Sequence, residues 1–409
     1  ESIVREILLI NISGDDKPGV TQAVSEALMD HRCDILDISQ SVIHDNLNLG
    51  LLARIPLGHQ LEKIKDEIFS SLSLIDMRVR FQLIADEDYS NWVDQQGKPR
   101  HIVTLLSRKV TAEHIARVTA VTVEHGLNID KITRLSGRMS LDRMESSSRS
   151  CVEFSLRGVP LDLAVLRSSL LEMSSEMDVD MAYQEENIFR RNRRLVVFDM
   201  DSTLIDAEVI DELAKEIGAG EQVAEITAAA MRGELDFKES FSRRLRFLEG
   251  LNESVLEKVA ERLQLTEGAE ELMATLRLLG YKTAILSGGF DYFACQIQKR
   301  LGIDYVYANQ LEIVDGKVTG NITGEVVDGA RKAELLRNIA AGERVSLEQV
   351  IAVGDGANDL PMLSIAGLGI AFRAKPLVKA TAKQSISKVG LDGILYLMGI
   401  SDRDVSRWE

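Results

Sequence analysis

The stretch Leu195–Asp206 reads LVVFDMDSTLID: four apolar residues run straight into Asp199 and Asp201. Two carboxylates aimed at one spot at the end of a buried strand raise each other's pKa or require a cation between them. Three further groups follow in order. Ser287-Gly288-Gly289 comes after the apolar run TAIL, Lys332 opens a helical stretch in GARKAELL, and Gly354–Asp359 (GDGAND) comes after VIAV. Each has an ordinary explanation by itself. Aspartates at strand ends serve as caps and turns, SGG forms turns, and a lone lysine is usually solvated. Together they make a set that can transfer a phosphoryl group. Clustered carboxylates suit a hard divalent cation, and glycine amides, a hydroxyl and a lysine suit phosphate oxygens. One aspartate remains to attack phosphorus and form an acyl phosphate.

Such residues need a frame that brings them together. From Leu195 onward the short apolar runs LVVF, YKTAILS, DYVYAN and QVIAVGD alternate with helical stretches. That alternation predicts a parallel sheet with helices on both faces, which binds ligands outside the carboxyl ends of its strands. Two insertions interrupt it. The segment 207–265 is helical in pattern and forms a cap after the first strand, and Leu311–Glu325 predicts a β-hairpin turning at Asp315-Gly316. In the cap, Phe241, Leu245 and Leu248 make one helical stripe, and Arg244 lies about 60° from its centre. Arg243 and Arg246 point elsewhere, so Arg244 is the arginine expected to face inward. Glu208, seven residues after Asp201, is within reach of the same site. An inward arginine and glutamate suit a substrate bearing a carboxylate and an ammonium, and they equally suit a structural Glu–Arg pair.

The first half of the chain is an internal repeat. HRCDILDIS (His31–Ser39) aligns with HGLNIDKIT (His125–Thr133) at an offset of 94 residues. Each copy reads strand, helix, strand, strand, helix, strand, the βαββαβ order of an α+β, ferredoxin-like fold. In the second copy Gly137–Ser150 reads as a long loop, and polar Asp86–Arg100 reads as the linker between copies. The expected domains are 1–86, 98–184 and 185–409, the last carrying the cap.

With 409 residues, 45% hydrophobic and 27% charged, the composition is that of a globular multidomain protein. A net charge of −16 argues against nucleic acid or an anionic membrane as the main partner. No apolar run approaches the ~20 residues of a membrane span, and the N-terminus has no signal-peptide layout. Cys33, Cys151 and Cys295, widely spaced among apolar residues, read as buried reduced thiols of a cytoplasmic protein.

VVFDMDST, LSGG, Lys332 and GDGAND resemble the four motifs of the haloacid-dehalogenase-like phosphatases across about 195–400. More narrowly, DSTLIDAEVIDELA, ITAAAMRGELDFKESFSRRL, LSGGF and VGDGANDLPML are similar to the phosphoserine phosphatase family. The resemblance implies a Rossmann-like catalytic domain that hydrolyses O-phospho-L-serine to L-serine and phosphate, the last step of serine biosynthesis. It implies Asp199 as nucleophile and Asp201 as general acid and then base. Mg²⁺ would be held by the Asp199 side chain, the Asp201 carbonyl and Asp355, with Asp359 in support. Ser287 and Lys332 would hold the phosphoryl group, Glu208 the ammonium and Arg244 the carboxylate. Met231 and Phe237 would wall the pocket, and Gly288 and Asn358 would complete it. Where some relatives carry a second lysine near Lys332 this chain has Arg331, whose role stays open.

The repeats resemble ACT domains, regulatory modules of amino-acid metabolism. The first keeps the Asp16-x-Pro18-Gly19 turn in SGDDKPGV, while the matched positions of the second are Val110, Ala112 and Glu113. On that resemblance L-serine, the product, is the expected effector, held at Asp16 and Gly19 with Asn128 on an opposite wall in a homodimer. A purely structural pairing module is the alternative. For the whole chain, the rival readings are the same chemistry on another small phosphate ester or an alcohol acceptor, and a non-catalytic amino-acid sensor.

Overall fold

The structure is a computed structural model that describes residues 6–144 and 149–405. Its chain divides into two compact units, Glu1–Lys98 and Pro99–Glu409. The first begins with β1 (Glu6–Asp15), α1 (Val20–Asp30), β2 (Asp34–Ile43), β3 (Asn46–Ile55), α2 (Leu61–Ser73) and β4 (Arg78–Ile84). These strands form an antiparallel sheet in the order β2-β3-β1-β4. Alternate residues of β1 and β3 (Leu8, Ile10, Ile12; Leu47, Leu49, Leu51) pack with Val24, Leu28, Ile64 and Ile68 of the helices into one core. That packing satisfies both periodicities, two in the strands and 3.6 in the helices. The expected linker is a helix for most of its length: α3 spans Asp86–Gln96. Its polarity hid it, yet Asp86, Glu87 and Asp88 crowd its first turn, where the helix dipole favours negative charge.

The second unit repeats the pattern with β5 (Arg100–Ser107), α4 (Ala112–Glu124), β6 (Asn128–Arg134), β7 (Ser150–Arg157), α6 (Leu163–Met177) and β8 (Asp180–Glu185). A short α5 (Leu141–Met144) sits in the long loop, whose residues 145–148 lie outside the described part. The sheet order β6-β7-β5-β8 matches the first copy strand for strand. Even the irregularity is repeated: the register shifts between Ile35 and Asp37 in one copy and between Ile129 and Lys131 in the other.

Beyond it lies a seven-stranded sheet, preceded in its cap by α7 (Val209–Glu216), α8 (Gly220–Met231), α9 (Phe237–Arg246) and α10 (Ser254–Arg262). The sheet and the helices around it include β9 (Leu195–Phe198), α11 (Ala269–Leu278), β10 (Lys282–Phe290), α12 (Asp291–Leu301), β11 (Tyr305–Val314), β12 (Lys317–Thr323), α13 (Gly329–Gly342), β13 (Val350–Gly354), α14 (Leu360–Ile365), β14 (Leu368–Phe372), α15 (Pro376–Thr381) and β15 (Gln384–Ile386), followed by the short helices Ile394–Leu397 and Asp402–Val405. The strand order is β12-β11-β10-β9-β13-β14-β15, parallel throughout except for β12. Successive residues of β9 alternate between two cores: Val196 and Phe198 face one, Leu195 and Val197 the other. A continuous apolar run is what a strand buried on both faces requires. The hairpin turns at Asp315 and Gly316, both with positive φ (52° and 75°), as a tight two-residue hairpin demands.

The two stems of the cap run side by side. The Asp206 amide donates to the Gln264 carbonyl at 3.0 Å, and the Thr266 amide to the Leu204 carbonyl at 2.8 Å. Among the cysteines only Cys151 is buried. Cys33 is half-buried, and Cys295 is exposed because it falls off the α12 stripe of Phe293, Ala294, Ile297 and Leu301.

The second repeat is fastened to the edge of the seven-stranded sheet. The Gln384 side chain on β15 accepts from the Tyr183 amide at 2.9 Å and donates back to the Tyr183 carbonyl. Buried Asp180 accepts from the amides of Ser387 and Lys388 at 2.9 and 2.7 Å. Arg108 donates to Glu267 through both terminal nitrogens (2.8 and 3.0 Å), and Arg373 joins the same carboxylate at 2.7 Å. The loop that lacks Pro-Gly therefore serves as a clamp, which accounts for its divergence from the first copy.

The hydrogen bond from Arg108, with help from Arg373, holds the Glu267 carboxyl down at about 2. Its stabilising contribution is thus fully present above the ordinary glutamate range and is lost as pH falls through the depressed value. The group is 42% exposed, so solvent screening keeps the contribution to about 1 kcal/mol or less. The urea midpoint of wild type should exceed that of Glu267→Gln by a constant margin above pH ~5 and converge on it as the pH drops below ~4.5. A margin independent of pH would show that the clamp is not electrostatic.

Candidate active site

Parallel register sets the level of the reacting groups. Phe198 pairs with Ile285 on one side and Val353 on the other. Asp199, Ser287 and Asp355 therefore emerge within about one residue of the same height, where β9 meets β10 and β13. The chain turns from one side of β9 to the other here, the switch point at which open α/β sheets bind ligands.

The Asp199 side chain accepts from the Met200 amide at 2.8 Å and from Lys332 Nζ at 3.0 Å, both through Oδ1. Lys332 also donates to Asp359 Oδ1 at 2.7 Å. The second Asp359 oxygen accepts from the amides of Asp355 and Gly356, each at 3.0 Å. Asp359 is thus committed, tying the β13 turn to the lysine. Asp355 Oδ1 accepts from Thr203 at 2.9 Å, and Asp201 Oδ1 accepts from the Val209 amide at 2.8 Å. Oδ2 of Asp199 and of Asp355 accepts no bond from a described group.

Electrostatics are strained in one direction. Burial, then the neighbouring Asp359, pushes the Asp199 carboxyl up, while Lys332 pulls it down. Burial, then Asp199, raises Asp201 to about 7. Asp355 is raised by burial and by Asp199 and Asp359. Burial opposes charge on Lys332 as well, but Asp199 and Asp359 outweigh it and keep the ammonium. One lysine does not balance this many carboxylates. Carboxylate oxygens of Asp199, Asp355 and Asp359 lie within 4.8 Å of one another, all buried. With Asp359 occupied, the free oxygens of Asp199 and Asp355 are the donors that fit a hard divalent cation.

Above these groups a cavity is lined by Asp199, Asp201, Glu208, Met231, Phe237, Arg244, Gly288 and Asn358, together with Ile210, Phe241, Gly289 and Phe290. Ser287 and Lys332 lie beneath it, fully buried. Ser287 Oγ accepts from the Gly289 amide at 2.9 Å. Arg244 is buried whereas Arg243 and Arg246 are exposed. It donates from Nε to the Ser240 carbonyl at 3.2 Å and from Nη1 to Thr227 at 3.1 Å, and Thr227 donates to Asp211 at 2.7 Å. Glu208 accepts from Ser202 at 2.7 Å and has no ion pair with Arg244, so the two are not a structural pair. Arg244 Nη2 and Asn358 Oδ1 are buried without a partner. Orphaned buried polar atoms are costly, and here both belong to residues of a cavity wall.

Glycine is required twice at this wall. A Cβ on Gly288 would stand 2.6 Å from Phe237 Cζ of the cap. One on Gly289 would overlap Asp201 Oδ2 and press on Ser287 Oγ at 3.1 Å. Ser202 has φ 56°, a left-handed conformation uncommon outside glycine, at the turn that aims Asp201 and Thr203. Sequence reasoning gave no role to Thr203, Ser202, Thr227 or Asp211. Thr203 and Ser202 stood inside the DMDST motif, whereas Thr227 and Asp211 had no local signal. Arg331 pairs with Glu334 at 2.9 Å on the helix surface.

In the first unit, Gly19 has φ 94° and starts α1, with open space where a side chain would be. Asp16 is exposed in the same turn, its amide donating to the Asp45 carbonyl at 2.7 Å. In the second unit Asn128 is exposed at the start of β6.

Comparison with known proteins agrees with this architecture. Residues 196–364 match the haloacid dehalogenase-like hydrolase family model, and residues 6–82 match the ACT domain model. A phosphoserine phosphatase of Streptomyces coelicolor is 40% identical over 398 residues, covering 97% of this chain and 93% of that one. Phosphoserine phosphatase SerB2 of Mycobacterium tuberculosis is 39% identical, covering 97% and 94%. Among solved structures, a probable phosphoserine phosphatase from Vibrio cholerae superposes with a TM-score of 0.55 at 33% identity, covering 75% of this chain and 89% of that one. Among the described residues no helix is long and apolar enough to cross a membrane. Matched over nearly its whole length by such relatives, the chain belongs to the phosphoserine phosphatase family of haloacid dehalogenase-like hydrolases, with an N-terminal ACT domain.

Proposed function

We propose that this chain is a phosphoserine phosphatase that hydrolyses O-phospho-L-serine to L-serine and phosphate by way of an aspartyl phosphate. The observation that carries the substrate choice is the pair of unpartnered atoms, Arg244 Nη2 and Asn358 Oδ1, in the wall of a cavity floored by Asp199 and Asp201. Arg244 takes the substrate carboxylate, held in place through Thr227 and Asp211. Glu208 takes the ammonium with the oxygen that Ser202 leaves free. Met231, Phe237 and Phe241 exclude water around the seryl group, and Gly288 allows the cap to close on it.

The Asp199 carboxylate attacks phosphorus. The bond to the seryl oxygen breaks, and Asp201, raised toward protonation, gives that oxygen its proton. Asp201 then accepts a proton from the water that cleaves the acyl phosphate, returning Asp199 to a carboxylate. Lys332 screens the charge of Asp199, and Ser287 with the Gly288–Gly289 amides receives phosphate oxygens. Mg²⁺ is the proposed cation, held by Asp199, the Asp201 carbonyl and Asp355 with Asp359 in support; when bound it neutralises charge on the phosphoryl oxygens. L-serine is the proposed effector at the Asp16–Gly19 turn, where α1 offers free amides to a carboxylate, with Asn128 of a second copy as the opposing contact in a homodimer. We place the enzyme in the cytoplasm.

Asp199→Asn should abolish both turnover and the acid-stable, hydroxylamine-sensitive phosphoenzyme; a pure preparation that still turns over would remove Asp199 from the mechanism. Arg244→Ala should cost about 2–5 kcal/mol in kcat/KM for phosphoserine, the penalty of breaking a buried charge pair, but far less for p-nitrophenyl phosphate. Equal losses would assign Arg244 to the cap's fold. Serine inhibition curves separate regulation from product competition. Gly19→Gln should weaken inhibition while leaving uninhibited turnover intact, and unchanged inhibition would place serine at the catalytic pocket alone.

A further inference from the structure

A second cavity lies between α6 and β8 of the second repeat and α15 and β15 of the seven-stranded sheet. Three cations line it, Arg167, Lys379 and Lys383, and no acidic residue does. None of the three has a carboxylate within 4 Å among the described residues. Lys379 acts by its charge on buried Asp180, whose oxygens accept from the amides of Ser387 and Lys388. In a chain of net charge −16, three unpaired cations converging on one hollow need an explanation beyond a solvated surface.

The wall supplies a second observation. Ser385, only 9% exposed, carries a buried hydroxyl with no partner, and Arg167 Nε is likewise buried and unpaired. The Arg167 guanidinium is fixed over the Tyr183 ring, 5.8 Å from its centroid, which orients its donors in advance. We propose that this cavity is a binding site for a small polyanion, bearing phosphate or several carboxylates, distinct from the catalytic pocket. Arg167 and Ser385 would donate hydrogen bonds to its oxygens, and Lys379 and Lys383 would balance its remaining charge.

The test is isothermal titration calorimetry of the full-length protein with sulfate and, separately, with citrate. Lys383→Gln and Arg167→Gln remove charge from the cavity, and Ser287→Ala alters only the catalytic pocket. Lys383 is exposed, so its variant should fold and keep wild-type turnover, which checks integrity independently. At least one anion should show a saturable component that weakens by about tenfold or more in each cavity variant and persists in Ser287→Ala. A preference for sulfate marks a phosphate-like ligand, and a preference for citrate a polycarboxylate. Absence of saturable binding by either anion, or binding indifferent to Lys383 and Arg167, overturns the proposal.

Discussion

The ammonium of Lys332, wholly buried and bonded to Asp199 and Asp359, is the constraint on which the site depends. Its charge offsets that of the carboxylates it bonds, in an interior where an uncompensated charge is costly. It also fixes geometry. Asp359 orders the turn after β13 through two amides, and that turn presents Asp355 to Thr203. One cation thus couples three segments remote in sequence: the ends of β9 and β13 and the first turn of α13. The same arrangement leaves an excess of negative charge, and this makes the site receptive to a divalent ion and a phosphoryl group bound together.

Much of this frame was legible from residue order alone. The alternation of LVVF between two cores, the positive-φ turn at Asp315-Gly316 and the inward face of Arg244 follow from periodicity and turn chemistry. So did the 94-residue repeat, to which the structure adds a register shift shared by both copies. What stayed hidden has a common character. Thr227 and Asp211 act on Arg244 through side chains from two other helices, contacts that leave no periodic trace. The α3 helix has no buried residue, so it has no apolar stripe to betray it. Cys295 reads as apolar in context but sits one position off its helix's stripe.

The two repeats share a fold and have different employment. In the first, the strand-to-helix turn is open around Gly19. In the second, the corresponding loop supplies Arg108 to Glu267, at the foot of the cap, and β8 lies against β15 through Gln384. A loop held in an ion-pair clamp is not free to accept a ligand. Divergence of SRKVTAEH from SGDDKPGV therefore accompanies a change from an open turn to an anchoring one, with the scaffold kept.

That fastening determines where the protein can be divided. The edge strand β15 has only three residues, and its neighbours Ser387 and Lys388 spend their amides on Asp180. A chain beginning near Arg190 would carry the whole catalytic sheet yet leave those amides and the Gln384 amide group facing solvent at a raw sheet edge, which invites pairing with other chains. A chain beginning at Pro99 would cut between the two compact units and keep the edge covered. The second repeat is, in engineering terms, less an accessory than the edge plate of the enzyme.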